Sequence, residues 1–187
     1  EAGISLLFQA SANAVDVRDG EIATVVCAAK SGLFAVQARQ FVDATGDGDL
    51  CAWAGAPFEK GDSNGLMQPG TLCSLWSDIN WDEVKNAYGI EGDGNVIQKG
   101  IEAGIFSIPD RGLPGMWPVG TRHGGGNIGH VFGVDATDEQ SSTQALVWGR
   151  KLVAEYERYY KQFLPGFTHM SLMATGALLG IRESRRI

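Results

Sequence analysis

Apolar and polar positions alternate along the first forty residues in a way that predicts an antiparallel sheet. Four strands are predicted here, the first of them buried: Ile4–Phe8, the segment that contains Val15 and Val17, Ile22–Ala29 and Leu33–Ala38. Asp19-Gly20 is a typical two-residue hairpin turn, and Ser31-Gly32 separates the last two strands. The pattern therefore predicts a β-meander that leads into a further short strand at Phe41-Val42.

Helical spacing appears in three later segments. Asn80 and Glu83 predict a capping box at the start of a helix whose apolar face holds Trp81, Val84 and Tyr88 and which ends at Gly89. A second helix is predicted from about Asn95 to Ala103, with Ile97 and Ile101 on one face and Gly104 at its end.

The longest predicted helix runs from about Asp138 to Leu164, with Thr137 and Gln140 as its capping box and Pro165-Gly166 as its end. Its apolar residues recur at steps of three and four, which predicts a buried core face: Ala145, Trp148, Leu152, Tyr156, Tyr159 and Phe163. Two ion pairs are predicted on the opposite face, Lys151–Glu155 and Glu157–Lys161.

The remaining apolar segments predict strands. Residues 56–70 are rich in Gly and polar residues and predict a loop or crossover, followed by a strand over Thr71–Trp76. Met116–Arg122 and Ile128–Val134 predict a strand pair around the run Gly124–Gly126.

Composition narrows the class of partner. The net charge is −7 and the Lys and Arg residues form no stripe, which argues against nucleic acid. Met170–Ile181 is interrupted by Gly and too short to span a bilayer, so we expect no membrane span and, by default, a cytoplasmic location. The three cysteines are widely spaced and predict neither disulfides nor a zinc site, while the oligomeric state is left open.

The chain is organised around the stretch Gln40–Gly55, where an apolar pair leads into DATGDGD and then into a predicted helix at Leu50–Ala54. Ala44 and Gly46 carry almost no side chain, so a ligand can approach the backbone closely. Asp47 and Asp49 bring carboxylates that can accept hydrogen bonds from sugar hydroxyls. The same residues also fit an ordinary turn that binds no ligand. A calcium loop does not, because its twelfth position is Ala54 instead of Glu, and no metal site is predicted.

A second glycine cluster, Gly124–Gly129, matches the dinucleotide fingerprint G-x-G-x-x-G. That motif needs a helix to begin where the phosphates bind, whereas His130–Val134 continues with the alternation of a strand. A glycine-rich hairpin is the preferred interpretation, and an NAD-dependent dehydrogenase using Gly124–Gly129 is an alternative.

The segment FVDATGDGDLCAWAGAPFEKG, together with GIRESRR at Gly180–Arg186, resembles FAD-dependent oxidoreductases of the broad glutathione-reductase-like class, in particular a bacterial family of that name. The resemblance continues at Gln68-Pro69, at Asn127–Asp138 and at Pro165–Phe167, and so spans nearly the whole chain. It implies an α/β fold, or α+β for the chain as given. It also implies two domains. Residues 1–55 would form a partial FAD-binding domain that contains the meander, and residues 56–187 would form a substrate domain with a mixed sheet and one long helix.

The resemblance also implies FAD as cofactor and hydride transfer from a small organic substrate to the flavin. Ala44, Thr45, Gly46 and Asp47 would face the flavin nucleotide, and Asp49 would brace their turn. Arg182, Glu183 and Ser184 would lie on a strand that returns toward the flavin, with Arg182 as the candidate catalytic residue, either favouring the reduced flavin or holding a substrate carboxylate. A plain Arg182–Glu183 ion pair is the structural alternative.

The family's own G-x-G-x-x-G unit and its late flavin motif do not occur in this sequence, so the resemblance implies an internal fragment. We expect such a fragment to need the remainder of the same chain, to be inactive alone and to bind FAD weakly or not at all. Asn127 and His130 occupy a position that the family often fills with Asn followed by Thr, and a surface turn is the favoured interpretation of both. His123 and His169 are interpreted as turn or cap residues. A non-catalytic α/β binding module remains an alternative from another class.

Overall fold

The structure is a computed structural model, and it describes residues 3–87, 94–112 and 115–187. Tyr88 and Gly89, which were predicted to complete the first helix, lie outside the described residues. Within the described chain the strands and helices are β1 Ala10–Arg18, β2 Glu21–Ala29, β3 Gly32–Val36, α1 Asp49–Trp53, β4 Glu59–Lys60, β5 Gly70–Thr71, β6 Ser74–Ser77, α2 Trp81–Ala87, α3 Gly94–Glu102, β7 Met116–Pro118, β8 Gly124–Gly126, β9 His130–Val131, α4 Glu139–Phe163, β10 Ser171–Thr175 and β11 Arg185–Arg186.

The described residues divide into two compact units. One takes in the chain up to Lys60 together with Arg185–Ile187, and the other lies within Gly61–Ser184. Helices and strands are combined as predicted, with an antiparallel meander and one long helix, which confirms the α/β class. The expected mixed sheet is instead antiparallel in every described strand pair. The assignment of residues 1–55 and 56–187 to cofactor and substrate stays a prediction.

The first unit is built on the predicted meander, in the order β1-β2-β3. Arg18 pairs with Glu21 across Asp19-Gly20, and both turn residues have positive φ, as the predicted hairpin requires. Two strand predictions are wrong: Ile4–Phe8 and Phe41-Val42 belong to no strand and have no ladder partner among the described residues. Most of their apolar side chains are exposed, because a strand becomes buried only when a neighbour covers its face.

The second unit has its core on α4, which the long apolar stripe correctly predicts. Tyr156, Tyr159 and Tyr160 are buried on this helix against aromatic and aliphatic residues of α2, α3 and the four-stranded sheet β10-β6-β8-β7. The helix is capped by Asp138 and not by the predicted Thr137, because the Asp138 carboxylate accepts from the backbone amides of Gln140 and Ser141. The Thr137 hydroxyl instead donates to Asp135.

Other local predictions are confirmed. Asn80 accepts from the Glu83 amide at 3.3 Å at the start of α2. The helix α3 ends at Glu102, two residues before Gly104, whose positive φ of 68° terminates the turn. Of the two predicted ion pairs on α4, Glu157–Lys161 forms at 2.6 Å. The other is wrong, because Glu155 accepts from Ser107 while Lys151 lies over the Trp148 ring.

The run Gly124–Gly126 is itself a strand, β8, which corrects the prediction that Met116–Arg122 pairs with Ile128–Val134 around it. β8 lies between β6 and β7. Side chains of both neighbouring strands lie against its glycines. A methyl group on Gly125 would lie 2.9 Å from the Trp117 ring. The glycines therefore give room to large neighbouring side chains. The predicted strand Thr71–Trp76 is likewise divided into β5 and β6, and each part pairs with a different partner.

Candidate functional site

The DATGDGD corner of the first unit is organised by Asp43. Its Oδ1 accepts from the Thr45 amide at 3.1 Å and from the Thr45 hydroxyl at 2.8 Å, and its Oδ2 accepts from the Cys51 amide at 2.9 Å. The Thr45 hydroxyl in turn accepts from the Asp49 amide at 3.0 Å. These bonds satisfy amides at the start of α1, where the capping position, Gly48, provides no side chain. Asp43 and Thr45 thus shape the turn from inside.

Arg185 joins this corner from the far end of the chain. Its Nη1 donates to Asp49 Oδ1 at 2.6 Å and to the Asp47 carbonyl at 3.0 Å, and its side chain is 12% exposed. The guanidinium also lies over the Phe58 ring, 5.5 Å from its centre. The pairing of β11 with β4 holds Arg185 in place. Arg185 therefore compensates one of the two carboxylates that follow Gly46.

The outer side of the corner is open. Ala44, Thr45 and Gly46 are exposed, and Asp47 is half-buried. Gly46 has φ of 92°, and a Cβ built on it would meet nothing within 4 Å. A larger residue would be strained there and would fill the space in front of the backbone. The corner can therefore admit a ligand against its main chain.

Removing the Asp43 carboxylate should weaken the corner. Burial acts to raise the pKa of Asp43, but hydrogen bonds from the Cys51 and Thr45 amides outweigh it and lower the pKa from 3.8 to about 2. The folded form thus favours the ionised carboxylate, which contributes stability above about pH 4 and loses it as the pH falls through 2. We expect Asp43→Ala to lower the free energy of unfolding by about 1–2 kcal/mol at neutral pH, measured by urea denaturation.

The matched control is Asp16→Ala, which removes an exposed carboxylate whose contact is the surface ion pair with Arg18. It should change stability by less than about 0.5 kcal/mol. The difference in stability between wild type and Asp43→Ala should shrink between pH 4 and pH 2. A difference that stays constant over this range would contradict the role given to the Asp43 carboxylate.

The second unit holds a cavity of about 510 Å³. Its walls bring together three residues singled out in the sequence, Asn127, His130 and Arg182, with seven others: Gln68, Pro69, Thr71, Cys73, Trp117, Gly180 and Ile181. Asn127 is half-buried in the connection between β8 and β9, and its backbone N–H donates to the Gly115 carbonyl at 3.1 Å.

His130 corrects the interpretation as a surface turn, because it lies on β9 and is paired with an acid. Its Nδ1 is 2.6 Å from Asp110 Oδ2, and the two side chains are 23% and 16% exposed. Asp110 Oδ1 accepts from the Gly112 amide at 2.8 Å, which holds the carboxylate in place. Burial raises the pKa of Tyr156, and the nearby Asp110 carboxylate raises it further. His123 and His169, by contrast, lie exposed in turns, as predicted.

The segment predicted to carry Arg182, Glu183 and Ser184 on a strand is irregular at all three residues, and the strand is Arg185–Arg186. Ser184 is buried, and Arg182 is exposed at the cavity. Glu183 Oε2 accepts from the Gln68 amide at 3.1 Å. A two-residue strand is set by its partner, β4, and not by its own propensity.

Sequence reasoning missed Asp43, Asp110 and Arg185 as residues that shape these sites. Asp43 could have been found, since Asp followed two residues later by Thr is typical of a side-chain turn. Asp110 is 20 residues from its histidine, and Arg185 is 136 residues from Asp49, at separations without periodicity.

The described chain also limits other chemistries. No group of three His, Cys, Asp or Glu side chains among the described residues is placed to hold a metal ion. In the same part of the chain, no helix has both the length and the apolar character needed to cross a bilayer. Cys27, Cys51 and Cys73 are free thiols. The residues after Gly126 form no helix start, so the dehydrogenase alternative lacks the phosphate-binding helix that it requires.

Comparison with known proteins agrees with the resemblance seen in the sequence. A family model described as FAD dependent oxidoreductase matches residues 1–187. Neither the curated proteins nor the solved structures gave a match. Since the family match covers the full length of the sequence, the chain belongs to the FAD dependent oxidoreductase family.

Proposed function

We propose that this chain is part of an FAD-dependent oxidoreductase that transfers a hydride from a small organic substrate to flavin, and that the DATGDGD corner contacts the flavin nucleotide. The observation that carries the proposal is the open main chain at Gly46, held by Asp43 and Thr45 from the inner side. When bound, FAD supplies the hydride-accepting chemistry, and the protein supplies binding and electrostatics.

The corner fits a nucleotide in three respects. Ala44 and Gly46 leave the backbone accessible, Asp47 offers a carboxylate to ribose hydroxyls, and Arg185 offsets the charge of Asp49. Two carboxylates side by side would otherwise repel the phosphates of the cofactor. Asp49 thus serves in the proposed site by fixing the turn together with Arg185. The predicted cofactor role of Arg182 and Ser184 stays a prediction, and both belong to the second unit.

Family membership favours an enzyme over the non-catalytic binding module. The glutathione-reductase-like subtype, the cytoplasmic location and the need for further chain are predictions that accompany the proposal. The corner would provide only part of the contacts that a dinucleotide of this size uses, so we expect the affinity of the 187-residue chain for FAD to be weaker than micromolar.

Titration with FAD, followed by backbone amide NMR shifts, tests the proposal at such affinities. We expect shifts concentrated at residues 44–49, and we expect Gly46→Val to lower the affinity by about tenfold, the equivalent of one lost hydrogen bond to the ligand. Gly32→Val is the matched control, because Gly32 also has positive φ and open space around its Cβ position in the same unit.

Gly32→Val carries a comparable backbone strain at the first residue of β3, and it should bind FAD like the wild type. Saturable shifts elsewhere in the chain with none at residues 44–49 would overturn the proposed site. So would equal losses of affinity in the two valine variants.

A further inference from the structure

The cavity of the second unit is built on three neighbouring chain segments. Thr71 of β5 is directly opposite His130 of β9, and on its other side it exchanges two backbone hydrogen bonds with Gly180, at 2.8 and 3.1 Å. Neighbouring strands lie about 5 Å apart, which puts the outer two segments about 10 Å from each other. Arg182 follows Gly180 by two residues, so His130 and Arg182 stand on opposite sides of Thr71.

Among the residues that line this cavity, the one side chain of fixed charge is the guanidinium of Arg182. None of its lining residues is acidic, and Arg182 has no ion-pair or hydrogen-bond partner within the described part of the chain. The neighbouring carboxylate of Glu183 is engaged by the Gln68 amide. An exposed guanidinium at the edge of a cavity is a ready partner for a carboxylate, which it can hold with two parallel hydrogen bonds.

His130 adds a polar atom, Nε2, whose position is fixed by the contact of the same ring with Asp110. Ionised Asp110 can only accept hydrogen bonds, so the proton of the contact lies on Nδ1 of His130, and Nε2 is left for a ligand. The Asp110 carboxylate, fixed by the Gly112 amide, sets both the tautomer and the orientation of the ring. This arrangement suits a hydrogen bond with a hydroxyl group.

Apolar side chains complete the walls. Trp117 is 48% exposed and Ile181 is 39% exposed, and both line the cavity together with Pro69. The Trp117 ring lies close to Gly125, where a Cβ atom would be 2.9 Å from it. The glycine in β8 therefore allows the indole to form one side of the cavity.

We propose that this cavity binds a small hydroxy acid with an apolar body, with its carboxylate on Arg182, its hydroxyl on His130 and its apolar group against Trp117. As the assignment of a substrate class it rests on the proposed function, since the hydroxy acid would be oxidised to the keto acid. The hydrogen on its hydroxyl-bearing carbon would leave as a hydride to the flavin, and the hydroxyl proton would pass to Nε2 of His130. Asp110 acts as a positioning residue through His130.

Three probes of similar shape test the polar contacts separately in flavin-free protein: mandelate, phenylacetate, which lacks the hydroxyl, and 1-phenylethanol, which lacks the carboxylate. Binding is followed by the shift of the Trp117 indole N–H, identified with Trp117→Phe. We expect mandelate to bind about tenfold tighter than phenylacetate, which lacks one hydrogen bond, and more than tenfold tighter than 1-phenylethanol, which lacks the charged pair of hydrogen bonds to Arg182.

Arg182→Gln should lower mandelate affinity by about tenfold or more and leave 1-phenylethanol binding unchanged. Arg158→Gln is the matched control, since Arg158 is an exposed arginine of the same unit, on α4, and does not line the cavity. In His130→Gln, we expect the preference for mandelate over phenylacetate to fall. Asp110→Asn should reduce the same preference without changing the effect of Arg182→Gln.

Equal affinities for the three probes, or an equal effect of Arg182→Gln and Arg158→Gln, would overturn the hydroxy-acid site. The result is separable from the flavin test. FAD shifts at residues 44–49 without mandelate binding would refute the cavity proposal alone, whereas mandelate binding without those FAD shifts would refute the cofactor site and leave the cavity proposal supported.

Discussion

Tyr159→Ala is expected to lower the free energy of unfolding of the second unit by about 3–5 kcal/mol, the range for removing a fully buried aromatic side chain. Tyr159 has 0% exposure at the centre of the core. Its ring stacks on Phe163 at 5.8 Å and meets Phe106 at 5.2 Å and Tyr160 at 5.4 Å between ring centres. Alanine would leave a cavity that the three rings cannot close without moving α4, which carries Tyr160 and Phe163, or the segment after α3, which carries Phe106.

Chemical denaturation measures this effect, and two variants on the same position and helix calibrate it. Tyr159→Phe keeps the ring and should retain most of the stability, so the difference between the two variants reports ring packing. Val147→Ala removes a side chain that is 54% exposed on α4 and should cost less than about 0.5 kcal/mol. If Tyr159→Ala were no more destabilising than Val147→Ala, the core described for the second unit would be wrong.

Gly126→Val is expected to lower the free energy of unfolding by about 3 kcal/mol, because a buried strand without side chains cannot accept one. A Cβ on Gly126 would lie 2.8 Å from the Ser74 hydroxyl oxygen and 3.0 Å from Trp76 Nε1. These two groups are buried and hydrogen-bonded to each other at 2.7 Å. Valine would force them apart in a core that holds Trp76 at 0% exposure.

Gly120→Val is the matched control, since Gly120 lies in the loop between β7 and β8. A Cβ there would meet the exposed side chain of His123, which is free to rotate away. We therefore expect Gly120→Val to leave the free energy of unfolding nearly unchanged. If the two valine variants unfolded at the same denaturant concentration, the packing reason given for the glycine strand would fail.

Prediction from sequence succeeded for features that depend on interactions between residues close together in the chain. The Asp19-Gly20 hairpin, the cap at Asn80 and the core stripe of α4 each depend on interactions within a few residues. Such interactions form in the same way whatever the remainder of the chain does, so residue type and spacing are enough to predict them.

Where contacts join distant segments, prediction failed or was incomplete. Phe41-Val42 has strand composition but no pairing partner among the described residues, and Gly124–Gly126 has turn composition but is held as a strand by both neighbours. The glycine run follows the rule that sheet context overrides propensity. The match of this run to the phosphate-binding fingerprint is therefore a match in sequence only, because the helix whose N-terminal amides would bind the phosphate does not follow it.

Residue order alone was sufficient to assign the family, the α/β class and the turn at DATGDGD, because these depend on contiguous motifs. It could not show that Arg185 reaches Asp49, that Asp110 orients His130 or that Arg182 stands across Thr71 from that histidine. Those relations depend on strand register and on which side chain a neighbour leaves room for, and both are set when separate segments pack together.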